Sequence, residues 1–191
     1  MKKYDQYSNC RIIGSSIKSA GEILKPLLKN EQELLDAIGS IKSEAELKAW
    51  YPMDTILALM ELAEKNDFVE RMAKSGALNV VRLMRQKGQV HTPEQALKTI
   101  EMGFKYQHQG NVGQLSVEIE SPTAATVVDS TYGPCGYLSG MIELTIANYG
   151  AVNISMTHFS NNCRQHGAPA CKYSYSWEES SLLKLRMSEE D

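Results

Sequence analysis

Long apolar runs are missing from this sequence. No stretch approaches the roughly 18 consecutive apolar residues that a membrane span needs, so no span is expected. The segment Met1 to Arg11 lacks the apolar core of a signal peptide, and the cytoplasm is the expected compartment. An excess of one charge sign is missing as well. The 20 Lys+Arg and 23 Asp+Glu leave a net charge of −3, which gives no electrostatic footprint for nucleic acid. Cysteine is scarce: in a reducing compartment, Cys10, Cys135, Cys163 and Cys171 read as free, buried or metal-binding rather than disulfide-bonded. No nucleophile elbow, Rossmann fingerprint, P-loop or zinc-protease motif occurs, and no general acid/base pair stands out. What is present is ordinary for a globular chain: 42% hydrophobic and 23% charged residues over 191 positions argue against disorder. That length favours one domain over residues 1–191.

Charge is unevenly spread along the chain. Residues 1–110 hold 16 Lys+Arg and 14 Asp+Glu, residues 111–177 hold 2 and 4, and the tail 178–191 is charge-rich again. The middle block is therefore expected under other layers or at an interface. The first 110 residues read as helices. Ser15 and Ser16 are candidate caps for a helix carrying Ile17, Ala20, Leu24, Leu27 and Leu28, which Pro26 kinks or restarts. A second helix fits 31–38, closed by Gly39, and Ser43 with Glu46 forms a capping-box pattern. Met53, Ile56, Leu57, Met60 and Ala63 predict an amphipathic helix, as do Phe68, Met72, Gly76, Val80, Leu83 and Met84 over 67–86. Thr92 and Pro93 start a helix running to Phe104.

The period then changes. Leu115, Val117 and Ile119 alternate in a half-buried strand, with Glu118 and Glu120 toward solvent, and 124–129 reads as a second strand. Residues 136–149 are apolar around most of a helix circumference, so that helix should be deeply buried. Val152, Ile154 and Met156 form a third strand, and Tyr173, Tyr175 and Trp177 a fourth. The expected fold class is α+β: a helical layer over 1–110, then β-β-α-β-β over 111–177, then a charged tail.

The sharpest local signal is Cys163-Arg-Gln-His166-Gly-Ala-Pro-Ala-Cys171, a Gly/Pro turn between two strands that can bring both sulfurs to one site. Cys135 at the start of the buried helix is a candidate third sulfur, with His166 or His158 as nitrogen donor. Three thiolates and one imidazole would make a closed tetrahedral zinc site. The competing reading is a cluster of small buried core residues. His91 reads as a loop residue, His108 as a helix-end residue and His158 as structural. The ring-bearing residues Tyr132, Tyr137, Phe159, Tyr173, Tyr175 and Trp177 gather around the sheet and the buried helix, where they either line a ligand pocket with Met141 or fill the core.

The pattern Cys163…Gly167…Pro169…Cys171…Tyr173…Trp177 resembles the C-terminal signature of four-vinyl-reductase-like small-molecule-binding domains, and in particular a family abundant in myxobacteria. Ile13-Gly14-Ser15-Ser16, Trp50-Tyr51-Pro52 and Gly136-Tyr137-Leu138-Ser139-Gly140 extend the resemblance over about residues 11–177. It implies a fold shared with TRAPP-type trafficking subunits and related to haem nitric-oxide sensor domains, with an apolar pocket between helices and sheet. In phenol-sensing relatives a zinc ion is held by three cysteines and a glutamate. The cysteine positions match Cys135, Cys163 and Cys171; the glutamate position is Ser160 here, and His166 is the candidate replacement. The proximal-histidine signature of the haem sensors is not evident, so haem is not expected.

The expected function is a non-enzymatic sensory or regulatory module that binds a small apolar ligand, a protein partner or both. The alternatives are a reductase acting on a vinyl or tetrapyrrole substrate and a structural adaptor. A homodimer is expected, with Trp50, Met60 and Met84 offered as its contact face.

Overall fold

The computed structural model describes residues 7, 9–88 and 90–180; the tail beyond Ser180 lies outside them. The chain enters through strand β1 (Arg11–Ile13) and passes directly into helix α1 (Gly14–Leu24). Ile13 occupies the N-cap without a side-chain bond, so Ser15 and Ser16 lie inside the first turn rather than capping it. Gly14 stands at the junction because there is no room for a side chain: a Cβ would lie 2.3 Å from the Glu46 carbonyl oxygen and 2.7 Å from the Tyr51 ring. Helix α1 stops two residues before Pro26, and the chain restarts as a single 3-10 turn, Leu28–Asn30, ahead of α2 (Gln32–Gly39). The short helix α3 (Glu44–Lys48) carries the full capping box, with Glu46 N–H donating to Ser43 Oγ at 3.2 Å and Ser43 N–H to Glu46 Oε2 at 2.7 Å. Strand β2 (Trp50–Pro52) leads into α4 (Asp54–Lys65), α5 (Val69–Lys87) and α6 (Pro93–Gln107). Thr92 caps α6 by accepting from Gln95 N–H, and Pro93 fills a position whose N–H needs no partner.

Two antiparallel sheets follow from the register. The small one, ordered β2-β1-β3, pairs Ile12 with Tyr51 on one side and with His108 of β3 (His108–Gln109) on the other. Its strands are too short to show alternation, which is why periodicity does not reveal it. The larger sheet, ordered β4-β5-β7-β6, is built from β4 (Leu115–Ser121), β5 (Ala124–Asp129), β6 (Ala151–His158) and β7 (Cys171–Glu179). Helix α7 (Cys135–Asn148) lies between β5 and β6 in the chain, so the second half is β-β-α-β-β and the class is α+β, as expected.

Alternation along β7 buries Cys171, Tyr173, Tyr175 and Trp177 on one face. Helix α7 packs between this sheet and α5. Its contact with α5 is made by small residues: a Cβ on Gly140 would lie 3.0 Å from the Ala73 Cβ, and one on Gly76 would lie 2.9 Å from Tyr137 Oη. One hydrophobic core gathers around α1, α2 and α4, and a second around α6, α7 and the sheet; Phe104 and Tyr137 pack against both. Among the described residues no helix is long and apolar enough to cross a membrane.

Two expectations are corrected. Met60 and Met84, offered for a dimer face, are core residues with 3% exposure each, and Trp50 is half-buried in β2. Strand β6 does not alternate throughout: Asn153 takes a positive φ of 50° and the register shifts between Val152 and Ser155, leaving Val152 outside.

Gly113 tests the turn that leads into β4. Its φ is +86°, and a Cβ there would lie 2.2 Å from the Ser130 carbonyl oxygen. Gly88 has a similar φ of +62° but open space around it. Urea unfolding should show Gly88→Ala costing about 1 kcal/mol for the backbone alone. Gly113→Ala should cost at least about 2 kcal/mol, because the Ser130 backbone must also move.

Candidate metal centre

Three separate pieces of chain meet below the sheet's end. Cys135 is the first residue of α7, Cys171 is the first of β7, and Cys163 lies in the connection between β6 and β7. All three are buried and free. Cys135 Sγ is 3.2 Å from Cys171 Sγ and 3.7 Å from Cys163 Sγ. His158, the last residue of β6, completes the group: one ring nitrogen and the three sulfurs all lie within 4.8 Å of one another. Four ligands about 2.3 Å from one ion would sit at tetrahedral edges of about 3.8 Å. The arrangement is therefore close to ligating distance without rearrangement of the backbone.

The register explains why His158 arrives here. It pairs across the strands with Tyr173, two positions along β7 from Cys171 on the same buried face, and the two rings stack at 4.5 Å. His158 Nε2 is buried, and the His158 side chain interacts with the Cys171 thiol. His166, the sequence-based candidate, turns away: it is exposed, and its Nδ1 lies 3.1 Å from the Ser160 carbonyl oxygen. Ser160 opens a 3-10 turn; the imidazole two residues before it stands with the sulfurs.

The polar frame of the centre is a buried ion pair that sequence reading did not single out. Arg164 Nη2 is 2.9 Å from Asp129 Oδ2 and donates to the Gly133 carbonyl at 2.7 Å, while Nη1 donates to the Thr131 carbonyl. Asp129 is wholly buried and also accepts from Thr131 N–H at 2.8 Å. The signal available in the sequence was the isolation of both residues within the block of low charge. The backbone N–H of Arg164 points at Cys171 Sγ, 3.4 Å away. Burial pushes the Cys171 thiol up, but this N–H and side-chain hydrogen bonds with Cys135, His158 and Tyr173 outweigh it and bring it down to about 6. Burial, and then the hydrogen bond and charge of Cys171, push Cys135 up to about 12. The two thiols titrate as an interacting pair, with Cys171 the more readily ionised of the two.

A cleft of about 520 Å³ opens beside Cys135 and Arg164, walled also by Tyr132, Asn111, Gly133 and Pro169. Of the residues proposed to line a ligand pocket, Tyr132 alone reaches it. Met141, Tyr175 and Trp177 are buried in the core, Tyr137 is wedged between α5 and α7, and Phe159 is 39% exposed beneath the Lys172 ammonium. Tyr132 also closes a hydrogen-bonded relay. His108 Nδ1–H donates to the Phe104 carbonyl at 2.8 Å, which leaves Nε2 to accept from Tyr132 Oη at 3.0 Å.

No family model matches the sequence, and no curated protein matches it. Solved structures do. An Fe(II) unliganded H-NOX protein from K. algicida superposes with a TM-score of 0.55 at 13% identity, over 89% of this chain and 98% of that one. An H-NOX protein from S. oneidensis in the Fe(II)NO state gives 0.56 at 8% identity, over 88% and 100%. At these identities the likeness is one of fold. It agrees with the relation to haem nitric-oxide sensors that the sequence resemblance implied.

Two measurements check the frame. Arg164→Met strands a buried carboxylate and should cost about 3–5 kcal/mol of unfolding free energy; Asp129→Asn, which keeps an acceptor for Thr131 N–H, should cost less. His108 supplies a pH signature. Burial, partly offset by the Phe104 carbonyl, holds its pKa below the usual range, so the folded protein keeps it neutral while the unfolded chain protonates near 6.5. Its contribution is complete above about pH 6.5 and is lost as pH falls through the lower, folded-state value. His108→Gln should flatten the fall in stability between about pH 7 and pH 5.

Proposed function

We propose that this chain is a non-enzymatic sensory or regulatory module whose zinc centre consists of Cys135, Cys163, Cys171 and His158. The observation that carries the metal assignment is the convergence of three buried sulfurs and one ring nitrogen of His158, all within 4.8 Å of one another. Two or three thiolates with an imidazole form a donor set suited to zinc. A bound ion would supply a charge-neutralising cross-link. The residues do the rest: Tyr173 stacks on the imidazole and orients it, the Arg164 N–H favours thiolate at Cys171, and the connection 159–170 is tied to the first turn of α7. With four protein ligands the site is closed, which favours a structural or signalling centre over a hydrolytic one. The four-vinyl-reductase-like resemblance supports the same reading, with imidazole in place of its glutamate.

Haem needs its own test, because the H-NOX neighbours include Fe(II) proteins and members studied for haem distortion. Both His108 ring nitrogens are engaged, His166 is exposed and held at Ser160, His91 is exposed on a loop, and His158 faces sulfur. The layer between α5 and α7 is closed by Ala73 against Gly140. These residues do not fit a haem with an axial histidine.

Elemental analysis of protein purified without chelator or affinity metal decides the assignment. About one zinc per chain is expected in the parent and in His166→Ala. Its retention should fall by at least about tenfold in affinity in His158→Ala and Cys163→Ser, with lower thermal stability because metal binding and folding are linked. A zinc-free parent, or loss of zinc in His166→Ala with retention in His158→Ala, would overturn it.

A further inference from the structure

The larger sheet has two edges, and the chain guards them unequally. At β4, Glu118 and Glu120 stand exposed on the strand, and Lys98 of α6 donates from Nζ to the Val117 carbonyl. Charges placed along an edge strand discourage it from pairing with another chain. Strand β6 forms the opposite edge and carries no such guard: no Asp, Glu, Lys or Arg occurs from Leu144 to Cys163. We propose that β6 is the contact surface of a two-fold dimer, in which it pairs antiparallel with β6 of a second copy about Met156.

The ladder shows what this edge offers. Phe159 N–H donates to the Lys172 carbonyl at 3.0 Å, and Ser155, Met156, Thr157 and His158 pair with Ser176, Tyr175, Ser174 and Tyr173. Antiparallel strands alternate, so Ser155 and Thr157 turn their backbone groups to β7, while Met156 and His158 turn theirs to the open side. Those backbone N–H and C=O groups have no partner among the described residues. Ile154 and Met156 pack on the core around the sheet but stay half-buried, so its apolar cover ends at this edge.

Three features select a second copy as the occupant. The regular stretch 154–158 lies between the bulge at Asn153 and the turn that begins at Ser160, and its midpoint is Met156. Pairing about that point uses the whole stretch and lets the two Met156 residues exchange both backbone hydrogen bonds, as a two-fold axis requires. The same register sets Met156 against Met156 on the apolar face and Ser155 against Thr157 on the exposed face, a favourable cross-strand pair. Finally, an uncharged edge meets its own copy without repulsion and offers a charged segment nothing to pair with. The strand alone falls short of the roughly 1,200 Å² of a standard interface, so the association is weak and reversible. It is read independently of metal content, so its failure would leave the zinc assignment standing.

Sedimentation equilibrium of the full chain from about 5 to 500 µM tests the association, and amide hydrogen exchange locates it. A monomer–dimer equilibrium is expected, with exchange at the Met156 amide slowed by about tenfold or more at the upper concentration and the β4 amides unchanged. Ser155→Lys with Thr157→Lys puts like charges directly opposite each other across the axis and should weaken the dimer by about tenfold or more. Both side chains are exposed, and circular dichroism of the dilute variant would verify its fold. Ser116→Lys, the same change on the β4 edge, should leave the association unaltered. A monomer at every concentration would overturn the proposal, even if β6 took up an extended peptide of another sequence. A dimer indifferent to the paired lysines, or one that protects β4 instead of Met156, would overturn it too.

Discussion

A carboxylate with no access to water has to be answered by a cation and by hydrogen bonds, and Asp129 imposes that requirement on everything around it. Arg164 meets it through Nη2 and donates further from Nη1 and Nη2 to the carbonyls of Thr131 and Gly133. The link from β5 to α7 is thereby fastened to the connection between β6 and β7. One consequence is positional: the first residue of α7, Cys135, is held beside Cys163 in that connection and Cys171 at the start of β7. Another is electrostatic, since Arg164 turns its backbone N–H toward Cys171. The ion pair reinforces two other ties, the β5–β7 ladder in which Asp129 pairs with Cys171 and the Tyr173 hydroxyl that donates to the Cys135 carbonyl.

Much of this architecture is legible from periodicity because burial dictates it. Helices α4 and α6 follow their apolar spacing, β7 follows its alternation, and the nearly all-round apolarity of α7 matches its place between α5 and the sheet. Periodicity loses resolution where elements are short or irregular. The strands at Arg11–Ile13, Trp50–Pro52 and His108–Gln109 are shorter than one alternation can display, and only the pairing of distant segments defines them. At Asn153 a left-handed residue shifts the strand by a step, a change that apolar spacing does not register.

The candidate centre was legible in its sulfurs and not in its nitrogen. A Gly/Pro turn flanked by two cysteines is a local signal, and Cys135 joins them through the buried helix it begins. Choosing between His158 and His166 required the hairpin register, because proximity in sequence favours the histidine inside the turn while cross-strand pairing with Tyr173 favours the one before it. The aromatic residues show the opposite failure. Tyr175 and Trp177 carry the marks of a pocket lining, yet inward alternation and the approach of α7 consume them in the core, and the open cleft falls to the polar turn around Tyr132.

The small-residue seam between α5 and α7 has a mechanical meaning. Long side chains at a helix contact change rotamer and absorb displacement; a methyl group against a glycine cannot. Helix α5 contributes Met72 to the core around α1 and Ala77 to the core around the sheet, and it meets α7 where Ala73 faces Gly140. It therefore behaves as a stiff strut spanning both cores. A displacement of its first turns would then be carried to α7, the helix whose first residue is Cys135.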